Sequence, residues 1–246
     1  RLPASLADNN IWAMLRDRSG MVWVGNNRGL SYHATRQNAV FSLFGVAGRK
    51  DGLSESDVQA IVPAADGRVW MVLGSKTLAV MDPASGKIDY PPRKDVPIFA
   101  LAPGPGGSVL IGAESSLYRA SGNGLEMREI PVPPPGKTLS QSLPLKSLEN
   151  LFDGAGVMLA DDKIIWLGGG NGLWRIELGA DGQIVDWRAE VAGKLSDHRV
   201  TVIERAADGR LWVGTEFGLN LVNPQTHTVE RIMPNRIDPT ALPYGQ

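Results

Sequence analysis

A tryptophan-centred frame recurs along the chain: Val22-Trp23-Val24-Gly25, Val69-Trp70-Met71-Val72, Ile165-Trp166-Leu167-Gly168 and Leu211-Trp212-Val213-Gly214. A fifth copy, Val109-Leu110-Ile111-Gly112, carries Leu in the central place. The steps between central residues are 47, 40, 56 and 46, averaging about 47, the length range of a four-stranded propeller blade. A lone Trp-Val-Gly would carry no weight; five copies in one register constrain the fold to repeated small sheets.

The frame extends both ways. Three residues before each centre stand Gly20, Gly67, Gly107, Lys163 and Gly209, preceded by Ser19, Asp66, Gly106, Asp162 and Asp208, which reads as tight hairpin turns where Gly supplies positive φ. Nine residues before it are Met14, Ile61, Leu101, Val157 and Ile203, each in a short run that reads as a strand entering the turn. Seven after it are Leu30, Leu117, Leu173 and Leu219, with Leu78 slipped by one in the second repeat. The expected fold is therefore all-β, a propeller of four-stranded antiparallel blades with about five present. Approximate repeats are 6–52, 53–94, 95–141, 142–194 and 195–242, within one segment, 1–246. The repeated Trp residues are read as core packing between neighbouring blades. Trp12 and Trp187 fall outside that position; Trp12 is expected to pack within its blade, and Trp187 is freer to serve a contact. In repeat four the first strand is the least regular. The proline-rich run from Ile130 to Leu145 is incompatible with a central strand and is expected to be an outer loop.

Composition agrees. Glycine (29) and proline (17) make about 19% of the 246 residues, against roughly 12% in average usage, yet 43% apolar content is too high for disorder. A net charge of -1 gives no field for nucleic acid or an anionic membrane. Cysteine is absent, which removes disulfides, thiolate nucleophiles and Cys-ligated zinc. No apolar run approaches the 18 or more residues of a spanning helix.

Three inter-repeat linkers share a second signature, a Leu five residues before an Ile or Val: Leu6 and Ile11, Leu53 and Val58, Leu195 and Val200. Asp238-Pro239-Thr240-Ala241-Leu242 begins another. The chain thus stops where a further blade would start and begins without Met, so it is expected to be a segment of a longer array, such as part of a seven-bladed propeller.

The unit Asp-x-x-Gly-x-Val/Leu-Trp-Val-Gly-Thr/Asn-x-x-Gly-Leu, with its Ser-Leu-x-x-x-x-Ile linker, resembles the two-component regulator propeller repeat. The closest copies are Asp17 to Tyr32 and Asp208 to Leu221. That resemblance implies the periplasmic sensor region of an inner-membrane receptor, attached through flanking helices absent here to a histidine kinase or diguanylate cyclase. It implies a ligand-sensing role with no catalysis in this segment, no cofactor and no metal.

Strand alternation places the turns after the Trp strands, together with the linkers, on one face. From it Asn27, Arg28, Glu114, Asn171, Asp197, His198, Arg199, Glu216 and Phe217 form the candidate ligand-binding surface. The arginines can fork onto a carboxylate or sulfate, and Phe217 can stack on a sugar or aromatic ring. The expected partners are an unidentified small molecule, with carbohydrate among the candidates, and either a second copy or the rest of a longer receptor. Two alternatives stand beside this reading: a propeller lyase similar to the streptogramin lyases, and a protein–protein interaction propeller. For the lyase, His198 is the only histidine on the candidate face; His33 and His227 are expected beyond the third strand, toward the other.

Overall fold

The computed structural model describes residues 6–17, 19–34, 39–44, 52–74, 76–92, 97–113, 116–121, 125–131, 155–161 and 163–234. Among them are twenty β-strands, one short 3-10 turn and no α-helix. The first sheet contains β1 (Ile11–Arg16), β2 (Val22–Asn26), β3 (Gly29–Ala34) and β4 (Ala39–Phe44); the second, β5 (Val58–Pro63), β6 (Val69–Leu73), β7 (Thr77–Met81) and β8 (Ile88–Asp89). The third holds β9 (Ile98–Pro103), β10 (Val109–Ala113), β11 (Ser116–Ala120) and β12 (Met127–Ile130). The fourth contains β13 (Ala155–Ala160), β14 (Ile164–Gly169), β15 (Gly172–Leu178) and β16 (Ile184–Glu190), and the fifth β17 (Val200–Arg205), β18 (Leu211–Thr215), β19 (Gly218–Asn223) and β20 (Thr228–Ile232). Each sheet is a four-stranded meander in chain order, so the fold is a β-propeller of five blades. The proline-rich outer loop expected after Ile130 lies almost wholly outside the described residues.

The chain forms two compact units, residues 1–111 with 118–128, and residues 112–117 with 129–246. In the first, Trp23 and Leu30 of blade one pack with Leu53, Val58, Ile61, Val69, Met71 and Leu73 of blade two. Trp70, Val72, Leu78 and Val80 pack in turn with Ile98, Leu101, Val109 and Ile111. In the second, Trp166 and Leu173 pack with Val200, Ile203, Leu211, Val213 and Val222. Each such side chain, fully removed from water, contributes about 1.5–3 kcal/mol of transfer free energy. Trp23, Trp70 and Trp166 are buried as expected, while Trp212 is half-buried.

Local geometry explains the frame. Gly20, Gly67 and Gly209 all have φ of 86° or 87°, the left-handed conformation that their turns require and that favours glycine. The Gly two places after the Trp has a different purpose. A Cβ at Gly25 would stand 2.7 Å from the Val58 carbonyl oxygen and 2.9 Å from its Cγ1, and one at Gly168 would stand 2.4 Å from Val200 Cγ1. The missing side chain lets the next blade's first strand approach. Val58 and Val200 each sit just before a register irregularity, as does Ile11 in blade one; such bulges bend a strand and sharpen its twist.

Three sequence expectations need correction. In blade four the register is displaced by one: Met158 faces Leu167, as Met14 faces Val24 and Ile61 faces Met71, whereas Val157 faces Gly168. The cause is the hairpin, which in blade four leaves only three residues between β13 and β14 instead of five. Trp187 is not a free contact residue; it is 3% exposed and lies against Trp174, with ring centroids 5.7 Å apart. Trp12 stays on its own blade but is not buried in it. It is 59% exposed, and its indole N–H donates to Asn27 Oδ1.

Candidate functional site

In the second unit, the outer strand β16 ends at Glu190, and the chain then crosses to β17 through residues 191–199. This crossing is built tightly. Val191 has φ +48°, an unfavourable conformation for a β-branched residue that costs on the order of 1–3 kcal/mol. Burial of Val191 against Trp166, Leu173 and Val200 offsets that cost. Further along, the Ser196 amide donates to Asn220 Oδ1 (2.8 Å), and Asn220 Nδ2 donates to Ser196 Oγ (2.8 Å) and to the Val213 carbonyl (3.0 Å). Blade one uses the same clamp more loosely, with the Ala7 amide donating to Ser31 Oγ at 3.3 Å.

Between this crossing and the β14–β15 turn is a recess of about 160 Å³, whose lining includes Asn171, Leu173, Glu190, Val191, Leu195, Asp197 and His198. Glu190 is the unusual member. Only 1% of its side chain is exposed. Its Oε1 lies 2.5 Å from His227 Nδ1, while its Oε2 has no hydrogen-bond partner; the Arg188 Nε is 3.7 Å away, beyond hydrogen-bond range. A buried carboxylate oxygen without a donor is costly, so each such group calls for an explanation.

His227 is in the turn between β19 and β20, with φ +53°, and the Lys194 ammonium donates to its carbonyl (3.0 Å). It does lie past β19, as expected, but its imidazole meets the end of the preceding blade's outer strand, which alternation along a single blade does not reveal. His33, by contrast, is inside β3, opposite Val22, rather than beyond that strand.

The candidate residues divide between the two units. Asn171, Asp197 and His198 line the recess. Arg199 and Glu216 pair with one another at 3.0 Å, and the Arg199 amide donates to Asp197 Oδ1 (2.8 Å), so the Arg199 fork is already directed at a carboxylate. Phe217 is 44% exposed. Asn27 and Arg28 belong to the first unit, where Asn27 receives the Trp12 indole and the Arg28 amide donates to Asn26 Oδ1 at 2.9 Å. Glu114 lies outside the described residues. Glu190 was missed by sequence reasoning, because its significance depends on a contact 37 residues away.

The first unit has a larger recess, about 360 Å³, whose walls include Asp17, Asp66 and Asp82. Its carboxylates are committed to their own turns. Burial pushes the Asp17 carboxyl up, yet hydrogen bonds from the Ser19 hydroxyl, the Trp23 indole and the Met21 and Ser19 amides outweigh it and hold it below its ordinary 3.8. Asp66 takes the Arg68 amide and guanidinium. The Ser85 hydroxyl and the Ala84 amide hold Asp82 below the usual carboxylate range. Size alone would favour this recess; the residues expected from the sequence, Asn171, Asp197 and His198, line the other. Among the described residues, no group of three His, Asp or Glu side chains is arranged to hold a metal ion.

The family model described as two component regulator propeller matches residues 5–28 and 194–217. These are the first and fifth repeats, from linker to post-Trp turn, and there the resemblance read from the sequence holds. No curated protein matches the chain significantly. Among solved structures, virginiamycin B lyase from Staphylococcus aureus is 14% identical with a TM-score of 0.65, over 96% of this chain and 74% of that one. The extracellular domain of a protein assigned as a hybrid two component system from B. thetaiotaomicron is 13% identical with a TM-score of 0.57, over 94% of this chain and 36% of that one. The computationally designed Ika8 protein is 16% identical with a TM-score of 0.57, over 93% and 64%. At these identities the likeness is one of fold. A lyase, the extracellular domain of a two component system and a design share it, so function has to be argued from the site.

Proposed function

We propose that this chain is a ligand-sensing, non-catalytic propeller segment of a bacterial signalling receptor, exposed to the periplasm, whose histidine kinase or diguanylate cyclase output resides elsewhere in a longer protein. One observation supports the reading: the linker of the repeat that the two component regulator propeller model matches at 194–217 borders, together with the post-Trp turn of the preceding blade, a recess lined by Asn171, Asp197 and His198. The Arg199–Glu216 pair and the Asp197 contact to the Arg199 amide hold that rim in place. Such a site binds and positions; the groups named do not form a nucleophile–base pair. Signalling would follow from a ligand with different affinity for two packings of the receptor, since equal affinity shifts nothing. Packing of blade one on a second copy or on the remainder of the receptor belongs to the same proposal.

The test is thermal unfolding of the chain against oligosaccharides, amino acids, small amines and divalent metals, with EDTA as control. A ligand at 100 times its Kd stabilises by about 2.7 kcal/mol. A small-molecule shift indifferent to EDTA is expected. Stabilisation by Mg²⁺ that EDTA abolishes would instead favour the lyase alternative.

A further inference from the structure

We infer that the inner edge of the first unit, at Trp12, Gln59 and Phe99, is a platform for a neutral oligosaccharide, with one pyranose ring stacked on the Trp12 indole. This rests on the ligand-sensing reading and names a ligand class for a site apart from the recess at Asp197.

The placement follows from the bulges of the first strands. These strands are sheet edges, and those of neighbouring blades meet, β1 with β5 and β5 with β9. Three registers hold one extra residue each. Ile11 faces Asn26 and Ala13 faces Gly25; Val58 faces Leu73 and Ala60 faces Val72; Val200 faces Thr215 and Val202 faces Gly214. The extra residues are Trp12, Gln59 and Thr201, and a bulge re-aims such a side chain. Gln59 and Thr201 are exposed although Val58 and Val200 beside them are buried, at 0% and 3%. Exposure at this place therefore belongs to the bulge and not to an uncovered blade, and Trp12, at 59%, holds the same place. Phe99 fills it in blade three, eleven residues before Leu110 as Trp12 is before Trp23, and is half-buried.

Chemistry defines the occupant. The Trp12 indole N–H donates to Asn27 Oδ1, so the ring is pinned at its edge and offers its face, a preorganisation that lowers the cost of binding. In the next blade, Gln59 is anchored through Nε2 to Asp57 Oδ2 at 2.8 Å. The three side chains at this place are an indole, an amide and a phenyl ring, none of them charged, which favours a neutral ligand. An amide both donates and accepts, as the hydroxyl groups of a sugar do. An open platform covers its ligand on one side only, whereas a wholly apolar molecule is favoured by an enclosing pocket. A pyranose meets these terms: its C–H face stacks on the indole, and its hydroxyl rim bonds to amides and to water.

The experiment is titration calorimetry of the full 246-residue chain with cellohexaose, maltohexaose and mannohexaose, and with hexagalacturonate as the charged comparison, repeated on Trp12→Ala, Trp12→Phe, Gln59→Ala and Met14→Ala. Binding of at least one neutral hexasaccharide in preference to the charged one is expected. Trp12→Ala should weaken it at least about tenfold, the scale of an aromatic anchor, while Trp12→Phe retains most of the affinity and Gln59→Ala loses a few-fold. Met14→Ala, which removes an exposed apolar side chain from the same strand, should leave binding unchanged. Thermal melts accompany each variant, and Trp12→Ala should barely move Tm, since its side chain is more exposed than buried. The proposal falls if Trp12→Ala leaves the affinity unchanged, if Met14→Ala weakens binding as much, if hexagalacturonate binds as well as the neutral sugars, or if none of the four binds. Should an amino acid or amine still raise the Tm of Trp12→Ala and of the parent alike, the sensor reading survives that failure.

Discussion

Blades one and two follow the same frame and differ in what covers it. In blade two, Leu53, Val58 and Ile61 are 0%, 0% and 8% exposed; at the same places in blade one, Leu6, Ile11 and Met14 are 38%, 44% and 65% exposed. The strands and registers match, so intrinsic propensity does not explain the contrast. These residues serve the interface with the preceding blade. Blade one packs on blade two through Trp23 and Leu30, while Leu6, Ile11 and Met14, at the places that in blade two receive such a neighbour, are exposed.

The sharpest way to break the comparison is truncation at matched positions. Ile61→Ala should cost about 2–4 kcal/mol in urea unfolding, and Met14→Ala no more than about 0.5 kcal/mol; equal costs would mean that the Met14 face is covered in solution. Next in size is Gly25→Ala. It adds a methyl against Val58 and should cost about 1–3 kcal/mol by overpacking, partly recovered when Val58→Ala is added.

The two blades also differ in how the central indole is satisfied. Trp23 Nε1 donates to Asp17 Oδ2 at 2.9 Å, whereas Trp70 Nε1 has no partner, because Ala64 occupies the equivalent position six residues earlier. Asp17→Asn should therefore cost about 1 kcal/mol at pH 7. The sign of its pH dependence follows from the lowered Asp17 carboxyl. Stability from this group is fully present above the unfolded value of about 3.9 and is lost as pH falls through the lower folded value. Below pH 4 the variant and the parent should converge, as acid melts would reveal. The smallest effect on stability, and a large one on association, is expected for Met14→Glu: Tm unchanged, and any concentration-dependent sedimentation diminished. Unaltered self-association would place the contact on another surface.

The blade architecture was legible because Trp, Gly and Leu recur at fixed offsets, and the offsets have steric causes that most blades share. Where the causes are not shared, reading the sequence failed. Lys163 replaces the turn glycine in blade four, and the shortened hairpin displaced Val157 by one place. Trp187 was misjudged because it is off the frame, although its cross-strand position beside Trp174 buries it. The candidate face was partly legible: Asn171, Asp197 and His198 do share one recess. Glu190 was not, since the contact that gives it meaning joins the end of one blade's outer strand to a turn of the next.

The close approach of Gly25 to Val58, and of Gly168 to Val200, has a consequence for how such a chain can be recombined. Each glycine is the socket for a valine that lies upstream of the following Trp, so the compatible pair straddles two neighbouring repeats. Cutting between sheets separates socket from plug. The natural cassette for shuffling or grafting runs from the second strand of one repeat to the first strand of the next, and hybrids joined within those strands should fold where hybrids joined at the linkers do not.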